Sequence, residues 1–395
     1  MIKIMFLGAA GFQLAPIQYA KSKGYYVITC DNKPDNPGHK LSDKSYNVST
    51  IDKEEVLKVA IKENINGIMT YGSDVSAPAV AYVCDKLNLP GPAQSTVETL
   101  VNKNKFRQVI NQSINYKEFT IFSEALDYCR QRSKPFVIKP IDSAGSKGIT
   151  FIEKYEGIPE AINYAFVNSI SKVIIVEDYI EKKGKQVCGD GFMFDGKLKF
   201  IFFGDGHFYD DKNYLAPWGE TFPSTSDPNI LVESEKVIEN ILNKCGYHSG
   251  PFNVDLFIDS NNKPFVNEIG PRNGGNFIPQ VTKLATGVDM IAASVEYCYD
   301  KTFEFKPIST PDKRYVYSSY MIHSKEDLNI SGWDYKQKLK RHIIKETLFS
   351  DYISSVSKFD NGSKALGNLM LRFESITEMN ELYKEINKQI VWSIT

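Results

Sequence analysis

The segment Phe252-Asn-Val-Asp-Leu-Phe-Ile258 is followed by the polar turn Ser260-Asn-Asn262 and then by Lys263-Pro-Phe-Val-Asn-Glu-Ile269. The two apolar runs around a short polar turn predict a pair of antiparallel strands. Because side chains alternate between the faces of a strand, this pairing brings the carboxylates of Asp255 and Glu268 onto one face. Two facing carboxylates repel each other, and a bound Mg²⁺ removes that cost. The hairpin therefore predicts a site for a hard cation.

An alternative explanation for both acids is simple solvation at the strand ends. It is disfavoured because Asp255 and Glu268 lie within apolar strands, where an unpartnered charge is costly. The same segment continues into Gly270-Pro-Arg272-Asn-Gly-Gly275. The planar guanidinium of Arg272 suits a phosphate or a carboxylate, so it extends the predicted site toward an anionic ligand.

A second candidate segment is Lys139-Pro-Ile-Asp-Ser-Ala-Gly-Ser-Lys-Gly148, in which a lysine at the end of a buried strand precedes small residues. The amides and hydroxyls of such a loop can bind phosphate oxygens. A plain turn between strands explains the pattern equally well, and the spacing of a Walker A loop is absent. A third candidate is Glu177, at the end of the buried strand that begins near Val173, where it could accept a hydrogen bond from an adenine amino group.

The chain begins with a strand over residues 2–7 and the turn Gly8-Ala-Ala-Gly11, and Asp31 ends the second strand. A glycine turn and an acid at these places are typical of dinucleotide sites. The full Gly-x-Gly-x-x-Gly pattern is absent, so a packing turn, or a turn that helps to bind another small substrate, is favoured. An oxidoreductase with a nicotinamide cofactor stays open as an alternative.

Composition indicates an ordinary globular protein of 395 residues with a formal net charge of −1, 42% apolar and 24% charged residues. This balance gives no general affinity for nucleic acid or anionic membranes. No apolar run approaches the roughly 20 residues that span a bilayer. The six cysteines form no Cys-x-x-Cys pair. We therefore expect a soluble cytoplasmic protein with reduced thiols.

Alternating strands and helices predict a small doubly wound domain that ends near Pro90-Gly-Pro92. A helix is expected at about Ser95 to Gln112, and a hairpin is expected around Asp195-Gly196, a favoured two-residue turn. Near the C-terminus, a basic helix is expected from Tyr335 to Lys345. The aromatic and polar segment from residue 204 to 218 is expected to help enclose a substrate.

Taken together, these segments resemble the ATP-grasp superfamily from the first strand to about residue 300. The resemblance is most specific in Lys139 with its glycine loop, in Glu177 to Ile180 and in Asn267-Glu-Ile-Gly-Pro-Arg272. It implies a multidomain α/β and α+β architecture similar to that of biotin carboxylase. The expected parts are a Rossmann-like domain over 1–92, an ATP-grasp domain over 93–300 with a small lid at about 135–180, and a C-terminal cap over 301–395.

The resemblance also implies roles for individual residues. Lys139 would contact adenine and the α-phosphate, Lys103 would contact phosphate with Lys105 as the alternative register, and Arg272 would stabilise the transferred phosphoryl group. Many members have a glutamate for ribose where Gln186 stands, so Gln186 or Glu181 is assigned to ribose. The residues assigned to ATP are Lys103, Lys105, Lys139, Ser143, Gly145, Ser146, Gly148, Glu177, Tyr179, Ile180, Glu181 and Gln186; those assigned to Mg²⁺ are Asp255 and Glu268; those assigned to catalysis are Arg272, Lys139 and Glu268.

The implied activity is that of a ligase dependent on ATP and Mg²⁺. It would activate a small carboxylate as an acyl phosphate and condense it with an amine, releasing ADP and phosphate. Asn273-Gly-Gly-Asn276 stands where the purine-biosynthetic members have a histidine, which favours an amino acid ligase. The alternatives are an ATP-binding regulatory module without transfer and an ATP-dependent carboxylase or transformylase of purine-synthesis type. The family further implies a homodimer, with small-molecule substrates as the other partners.

Overall fold

The first 70 residues form a parallel four-stranded sheet. The computed structural model describes residues 1–110, 114–143, 145–210, 215–310, 314–350 and 353–395. The strand order of the sheet is β3-β2-β1-β4. Alternate residues of β1 pack on opposite sides, with Met5 and Leu7 in one apolar cluster and Ile4 and Phe6 in another. The elements are β1 Lys3–Leu7, α1 Leu14–Ser22, β2 Tyr26–Cys30, α2 Pro37–Leu41, β3 Lys44–Tyr46, α3 Lys53–Glu63, β4 Gly67–Thr70 and α4 Ala77–Leu87.

Two short helices, α5 Gln94–Val101 and α6 Lys103–Ile110, follow where the sequence predicts one long helix. Asn102 separates them because its backbone is extended, with φ −92° and ψ 112°. Its side-chain oxygen accepts a hydrogen bond from the Lys105 amide at 3.0 Å, as an N-cap residue does. The expected helix end at Gln112 lies outside the described residues. The break places Lys103 in the first turn of α6.

A four-stranded antiparallel sheet carries the predicted glycine loop. Its strand order is β5-β8-β6-β7, and one face packs against two helices through an apolar cluster that includes Ile138 and Val176. The glycine loop joins β6 to β7, which pair antiparallel. The elements are β5 Tyr116–Phe119, α7 Phe122–Arg130, β6 Phe136–Pro140, β7 Thr150–Ile152, α8 Ile158–Asn168 and β8 Ile174–Asp178.

An eight-stranded antiparallel sheet, ordered β13-β12-β9-β10-β11-β14-β18-β16, forms the other large layer. Its last three strands come from beyond residue 300, so the C-terminal part of the chain continues this sheet; a further sheet has the order β17-β15-β19. The elements are β9 Val187–Phe194, β10 Lys197–His207, β11 Gly219–Phe222, α9 Pro228–Lys244, β12 Gly250–Ile258, β13 Pro264–Gly270, α10 Ile278–Thr286, α11 Met290–Tyr297, β14 Val316–Ile322, β15 Leu328–Tyr335, α12 Gln337–Lys340, β16 Ile343–Leu348, β17 Ser355–Val356, β18 Gly367–Phe373, α13 Ile376–Tyr383 and β19 Ile390–Ile394.

Both predicted hairpins are confirmed by the strand pairing. β9 pairs antiparallel with β10 across Asp195 and Gly196, which have φ of 50° and 72°. β12 pairs antiparallel with β13. The predicted succession of a parallel sheet and antiparallel sheets is confirmed as well. Within the described ranges, no helix has the length and apolar character needed to cross a bilayer.

The predicted basic helix from Tyr335 to Lys345 is wrong. Only α12 is helical there, and the chain then enters β16, which pairs with β18. The lysines that produce a helical charge pattern remain at the surface, whereas Leu339 is fully buried and fixes the turn. Tertiary pairing of Ile343 with Leu371 therefore outweighs the local helix propensity.

We predict that Gly11→Ala destabilises the protein, because a Cβ at Gly11 would lie 2.5 Å from the Phe349 Cα and 2.8 Å from its carbonyl oxygen. Overpacking of this kind lowers the free energy of unfolding by about 1–3 kcal/mol, measurable by urea denaturation. Gly362→Ala is the matched control, since nothing lies within 4 Å of its added Cβ. Equal stability of the two variants would contradict this packing role of the glycine turn.

Candidate active site

The predicted carboxylate pair lies on the β12–β13 hairpin, where Asp255 is directly opposite Glu268. Burial alternates strictly along β12, so Val254 and Leu256 enter the core while Asp255 lies on the other face. A β-bulge follows the pair, because Leu256 is opposite Val266 and Asn267 is left as the extra residue. Bulges are common next to active sites, since they redirect side chains. The geometric prediction for the two acids is confirmed.

This face of the hairpin borders a cleft of about 300 Å³ between the two antiparallel sheets, a volume in the range of small-molecule sites. Most of the residues assigned to ATP, Mg²⁺ and catalysis border it. They are Lys103, Lys139, Ser143, Gly145, Ser146, Glu177, Tyr179, Ile180, Gln186, Asp255, Glu268 and Arg272. The structure therefore brings together, in one cleft, residues that are up to 169 positions apart in the sequence, from Lys103 to Arg272.

Three assigned residues do not border the cleft. The Lys105 ammonium points to the surface, 3.5 Å from a Glu98 carboxylate oxygen, which leaves Lys103 as the lysine of this helix at the cleft. Gly148 packs under its own sheet, where an added Cβ would lie 2.6 Å from Pro140. Glu181 is exposed, so Gln186 is the candidate for ribose that remains at the cleft.

The glycine loop approaches the cleft from the small sheet. The Lys103 ammonium donates a hydrogen bond to the Ser143 carbonyl oxygen at 2.9 Å, and it lies 3.8 Å from a Glu268 carboxylate oxygen. The Ser146 hydroxyl donates to the Leu215 carbonyl at 2.8 Å. Ala144 lies outside the described residues. The loop is thus connected to both the helix before it and the wall opposite.

The segment from residue 204 to 218, expected to enclose a substrate, contributes Phe208, Leu215 and Pro217 to the cleft wall. Its residues 211–214 lie outside the described part of the chain. His207 is an internal residue of this wall, since its Nε2 lies 2.9 Å from the Thr221 hydroxyl and burial lowers the pKa of its imidazole to about 3.

At the floor of the cleft, a buried carboxylate binds two cations. Glu177 accepts hydrogen bonds from the Lys139 ammonium and from the Arg107 Nε at 3.0 Å. Burial by itself raises the pKa of the Glu177 carboxyl, but the charges of Arg107 and Lys139 outweigh it and lower the pKa to about 2. Burial also lowers the pKa of the Lys139 ammonium, to about 8. Lys139 is therefore a desolvated cation held at a fixed position.

Sequence reasoning missed Arg107, although Lys103 and Arg107 are four residues apart and so share one face of α6. Arg107 also donates to the carbonyl and side-chain oxygens of the bulge residue Asn267, at 2.8 and 3.1 Å. It thereby connects β8 to β13. The predicted hydrogen bond from an adenine amino group to Glu177 stays a prediction. The Glu177 carboxylate already accepts hydrogen bonds from Lys139 and Arg107, but its oxygens have lone pairs left for a further donor.

Arg272 lies at the side of the cleft nearest the N-terminal sheet. Its guanidinium pairs with Asp74, which follows β4, and donates to the Asn273 carbonyl at 3.1 Å. The Arg272 Nε and one Asp74 carboxylate oxygen are buried with no hydrogen-bond partner among the described residues. Because this ion pair of Arg272 and Asp74 keeps one hydrogen-bond donor and one acceptor without a partner, it can bind an additional polar ligand in the cleft.

Two further buried carboxyls were not found from the sequence, and of these Glu220 borders the cleft whereas Asp190 does not. Asp190 on β9 accepts hydrogen bonds from the Gly274 amide at 2.8 Å and from the Asn253 side chain at 3.0 Å, which fixes the loop after Arg272; burial raises its pKa to about 6. Glu220 on β11 accepts one hydrogen bond, from Asn276 at 2.6 Å. Burial raises the pKa of Glu220 to about 8. An acid within the largely apolar strand β9 was the sequence signal for Asp190, whereas the short strand β11 gave no such signal for Glu220.

The glycine turn at the N-terminus has its partners inside the protein. Asp31 accepts hydrogen bonds from the Ala9 and Lys33 amides, both at 2.9 Å, and Gly11 packs against Phe349. Packing therefore accounts for the glycine at position 11, and hydrogen bonds to backbone amides account for the acid at position 31. The alternative of a nicotinamide site gains no support from these contacts. All six cysteines are buried and unpaired.

The residues of the cleft fit a nucleoside triphosphate with Mg²⁺. Lys103, Lys139 and Arg272 present positive charge, and Asp255 with Glu268 presents oxygen ligands. Burial raises the pKa of Asp255 to about 7, and the neighbouring Glu268 contributes to this shift, as two carboxylates at a cation site do. In the described ranges, no group of three or more His, Cys, Asp or Glu side chains could hold a metal ion.

Comparison with known proteins agrees with this geometry. A profile of the ATP-grasp domain matches residues 100–276. Residues 100–276 of this chain therefore form a domain of the ATP-grasp superfamily. A formate-dependent phosphoribosylglycinamide formyltransferase of Francisella tularensis is 25% identical over 284 residues, which cover 69% of this chain and 70% of that protein. The predicted superfamily is thus confirmed for this domain, and the predicted ligase class with its use of ATP and Mg²⁺ agrees with it.

Solved structures align over nearly the whole chain. An L-amino acid ligase from Bacillus licheniformis has a TM-score of 0.84 at 18% identity, and the match covers 100% of this chain and 99% of that one. N5-carboxyaminoimidazole synthetase from Staphylococcus aureus, complexed with ADP, has a TM-score of 0.76 at 14% identity, covering 97% and 96%. These similarities establish the fold, including the predicted multidomain α/β and α+β class.

We predict that Glu177→Gln destabilises the ATP-grasp fold strongly, because it leaves Lys139 and Arg107 buried beside a neutral group. Breaking a buried ion pair in this way costs about 3–5 kcal/mol, measurable as a lower midpoint of urea unfolding. Glu98→Gln is the control, since the Glu98 carboxylate pairs with Lys105 at the surface, where the cost is below about 1 kcal/mol. Similar midpoints for the two variants would show that the buried pair has no structural role.

A second prediction concerns pH. The Glu220 carboxyl has a pKa of about 8 in the folded protein, well above its ordinary value of 4.5, so the folded state keeps a proton that the unfolded chain releases. The stability from this group is complete below pH 4.5 and is lost as pH rises through 8, with a slope of up to about 1.4 kcal/mol per pH unit.

Glu220→Gln removes this contribution, so its free energy of unfolding should fall less than that of the wild type between pH 5 and 8. The titratable groups that face Glu220 are Asp255, Cys188 and Tyr383, and all three remain in the variant. Urea denaturation at several pH values measures the difference. If the free energy of unfolding changes with pH equally in the variant and the wild type, the pKa of Glu220 is not raised in the folded protein.

Proposed function

We propose that this protein is an amino acid ligase, which uses ATP and Mg²⁺ to join a small carboxylate to an amine. The observation that carries the proposal is the facing pair of Asp255 and Glu268 in the same cleft as Lys103, Lys139 and Arg272. Separated carboxylates or lysines would support nucleotide binding alone. Their convergence supports a site that holds a metal ion, a polyphosphate and a second anion together.

When bound, Mg²⁺ and ATP supply the phosphoryl group that activates the carboxylate. In this proposal, Asp255 and Glu268 hold the metal ion, while Lys103 and Lys139 neutralise phosphate charge. Arg272 orients the oxygens of the second anion with its planar fork. The chain needs no nucleophile of its own, because positioning and charge stabilisation provide most of the catalysis in phosphoryl transfer.

Exclusion of water is the second requirement, since an activated carboxylate hydrolyses readily. The hydrogen bond from the Ser146 hydroxyl to Leu215 connects the glycine loop to the opposite wall. The ring of Phe208 lies beside the Lys182 ammonium at 5.4 Å, and Phe257 lies beside the same ammonium at 4.3 Å. Together these contacts support a cleft that closes over its substrates.

The charges of the cleft support an amino acid over a phosphorylated substrate. Among the described residues that border it, the cationic ones are Lys103, Lys139, Lys182 and Arg272. The ATP phosphates and the carboxylate occupy Lys103, Lys139 and Arg272 in the proposed arrangement. Lys182 packs on aromatic rings, and burial lowers the pKa of its ammonium. A second phosphate group would need a further cation, so an unphosphorylated co-substrate fits better.

A purine-type reaction is the second candidate, because the curated relatives are named formate-dependent phosphoribosylglycinamide formyltransferases. Formate is itself a small carboxylate, and the named acceptor carries an amine. Both candidates therefore share the same activation step and differ in the size and charge of the co-substrates. Product analysis by mass spectrometry separates them, since one yields a dipeptide and the other a formylated ribonucleotide.

The test traps the activated carboxylate with hydroxylamine, so that the natural amine need not be known. Wild-type protein is incubated with ATP, Mg²⁺, hydroxylamine and each of the twenty amino acids or formate. We expect hydroxamate and ADP in equal amounts with the correct carboxylate. ATP binding without hydroxamate or ADP for any carboxylate would contradict the proposal and favour a regulatory ATP-binding module.

Glu268→Ala should lower ADP release by about 100-fold or more without unfolding the protein, because one of the two metal-binding carboxylates is lost. Glu233→Ala is the matched control, since Glu233 lies on α9 and pairs with Lys263 at the surface. Release of ADP is followed by a coupled assay, and folding is checked by circular dichroism. Undiminished turnover in Glu268→Ala would exclude the metal-binding role.

A further inference from the structure

Glu220 is an acidic residue of the cleft to which the proposed nucleotide site gives no role. Its side chain is 2% exposed and borders the cleft from β11. One carboxylate oxygen accepts from the Asn276 amide, whereas the other, Oε2, is buried without a hydrogen-bond partner in the described part of the chain. Buried polar atoms in native proteins nearly always have a partner. A missing partner at the wall of a binding cleft indicates a position for a ligand group.

The orientation of Glu220 is fixed by a network from three elements. Asn276 has a left-handed backbone, with φ 50°, and its carbonyl accepts a hydrogen bond from the Ser319 hydroxyl on β14. The Asn368 amide on β18 donates to the same hydroxyl at 2.6 Å. Because Asn276 is fixed in this way, its side chain holds one Glu220 oxygen in place and leaves the other for a ligand.

The charge around Glu220 defines the chemistry of that ligand. The titratable groups that face it are Asp255 on β12, Cys188 on β9 and Tyr383 on α13, all of which are acids. Among the described residues, Glu220 forms no ion pair with lysine or arginine. A buried carboxylate without a cation is unfavourable, so a cationic group is the ligand that this position stabilises most.

A metal ion is the less suitable cation. Among the described residues, no three His, Cys, Asp or Glu side chains are grouped so that they could hold a metal ion, so Glu220 does not complete a three-ligand site with Asp255 and Glu268. One carboxylate oxygen beside an amide suits a group that donates hydrogen bonds. A primary ammonium provides three such donors and a positive charge.

We propose that Glu220, positioned by Asn276, binds the ammonium group of the amine substrate. The proposal rests on the ligase function above and adds a specificity: primary amines that are cationic at neutral pH are accepted, and N-acylated or anionic ones are rejected. The ammonium satisfies Oε2 of Glu220, and its positive charge favours the ionised carboxylate over the protonated form that burial favours in the free protein. Asn276 acts as a positioning residue, since it orients the carboxylate without being required to contact the amine.

The test measures binding, so it does not depend on turnover. L-Alaninamide, L-leucinamide and L-lysinamide serve as probes, because they keep the ammonium but have no carboxylate and cannot occupy the acid site. They are titrated by calorimetry into protein saturated with Mg²⁺ and a non-hydrolysable ATP analogue. N-acetylated L-alaninamide, which has no ammonium, is the ligand control and should not bind.

Glu220→Gln keeps the shape and the hydrogen bond from Asn276 but removes the charge. We expect it to raise the Kd of the best probe at least about tenfold, since charge-assisted hydrogen bonds exceed neutral ones. Glu220→Asp, which keeps the charge, should recover part of the affinity. Glu233→Gln, at the surface of α9, should leave Kd unchanged. The Kd of the ATP analogue should stay within about twofold in each variant.

An unchanged amide Kd in Glu220→Gln would overturn the assignment, as would a wild-type protein that forms hydroxamate but binds no amide. A weaker Kd for Mg²⁺ in place of the amide would instead identify Glu220 as a metal ligand. Failure of the ligase function has a different signature, because it appears as absence of hydroxamate in the wild type. Thermal denaturation of Glu220→Gln confirms that the comparison is made between folded proteins.

Discussion

The buried carboxylate of Glu177 is the constraint on which the cleft depends. It binds Lys139 from the neighbouring strand and Arg107 from helix α6, and Arg107 continues to the bulge at Asn267. One network thus connects the small sheet, the helix before it and the hairpin that carries the acids. Because each member is buried, its partners are obligatory, and the two walls of the cleft are held at a defined separation.

Charge is distributed unequally along the cleft as a consequence. Lys103, Lys139 and Arg107 gather near the small sheet, while the carboxyls of Asp255 and Glu220 lie on the large sheet, where burial raises their pKa. In the function that we propose, a polyphosphate compensates the first group, and a divalent cation and an ammonium compensate the second. The charges of the two sheets therefore suit ATP, Mg²⁺ and a cationic amine.

The sequence was sufficient for those features that depend on local pattern. Asp255 and Glu268 were predictable because alternation within two adjacent strands, joined by a short turn, places both side chains on one face. Lys139 was predictable because a charged residue at the end of an apolar strand is conspicuous. The predicted homodimer and the predicted domain boundaries stay predictions.

Other residues were not predictable because their role depends on partners that are distant in the chain. Arg107 reaches Asn267 across 160 residues, and Asp74 reaches Arg272 across 198. Glu220 lies in a short strand with no pattern that marks its burial. The strand at Ile343–Leu348 was misread for the same reason, since its pairing with β18 outweighs a local helical charge pattern.

A crystal structure with Mg²⁺ and a non-hydrolysable ATP analogue tests the assignment of the cleft most directly. We expect the phosphates beside Lys103, Lys139 and Arg272, with a metal ion bound by Asp255 and Glu268. A nucleotide bound at the Gly8–Gly11 turn, or one in the cleft whose metal contacts neither acid, would contradict the assignment.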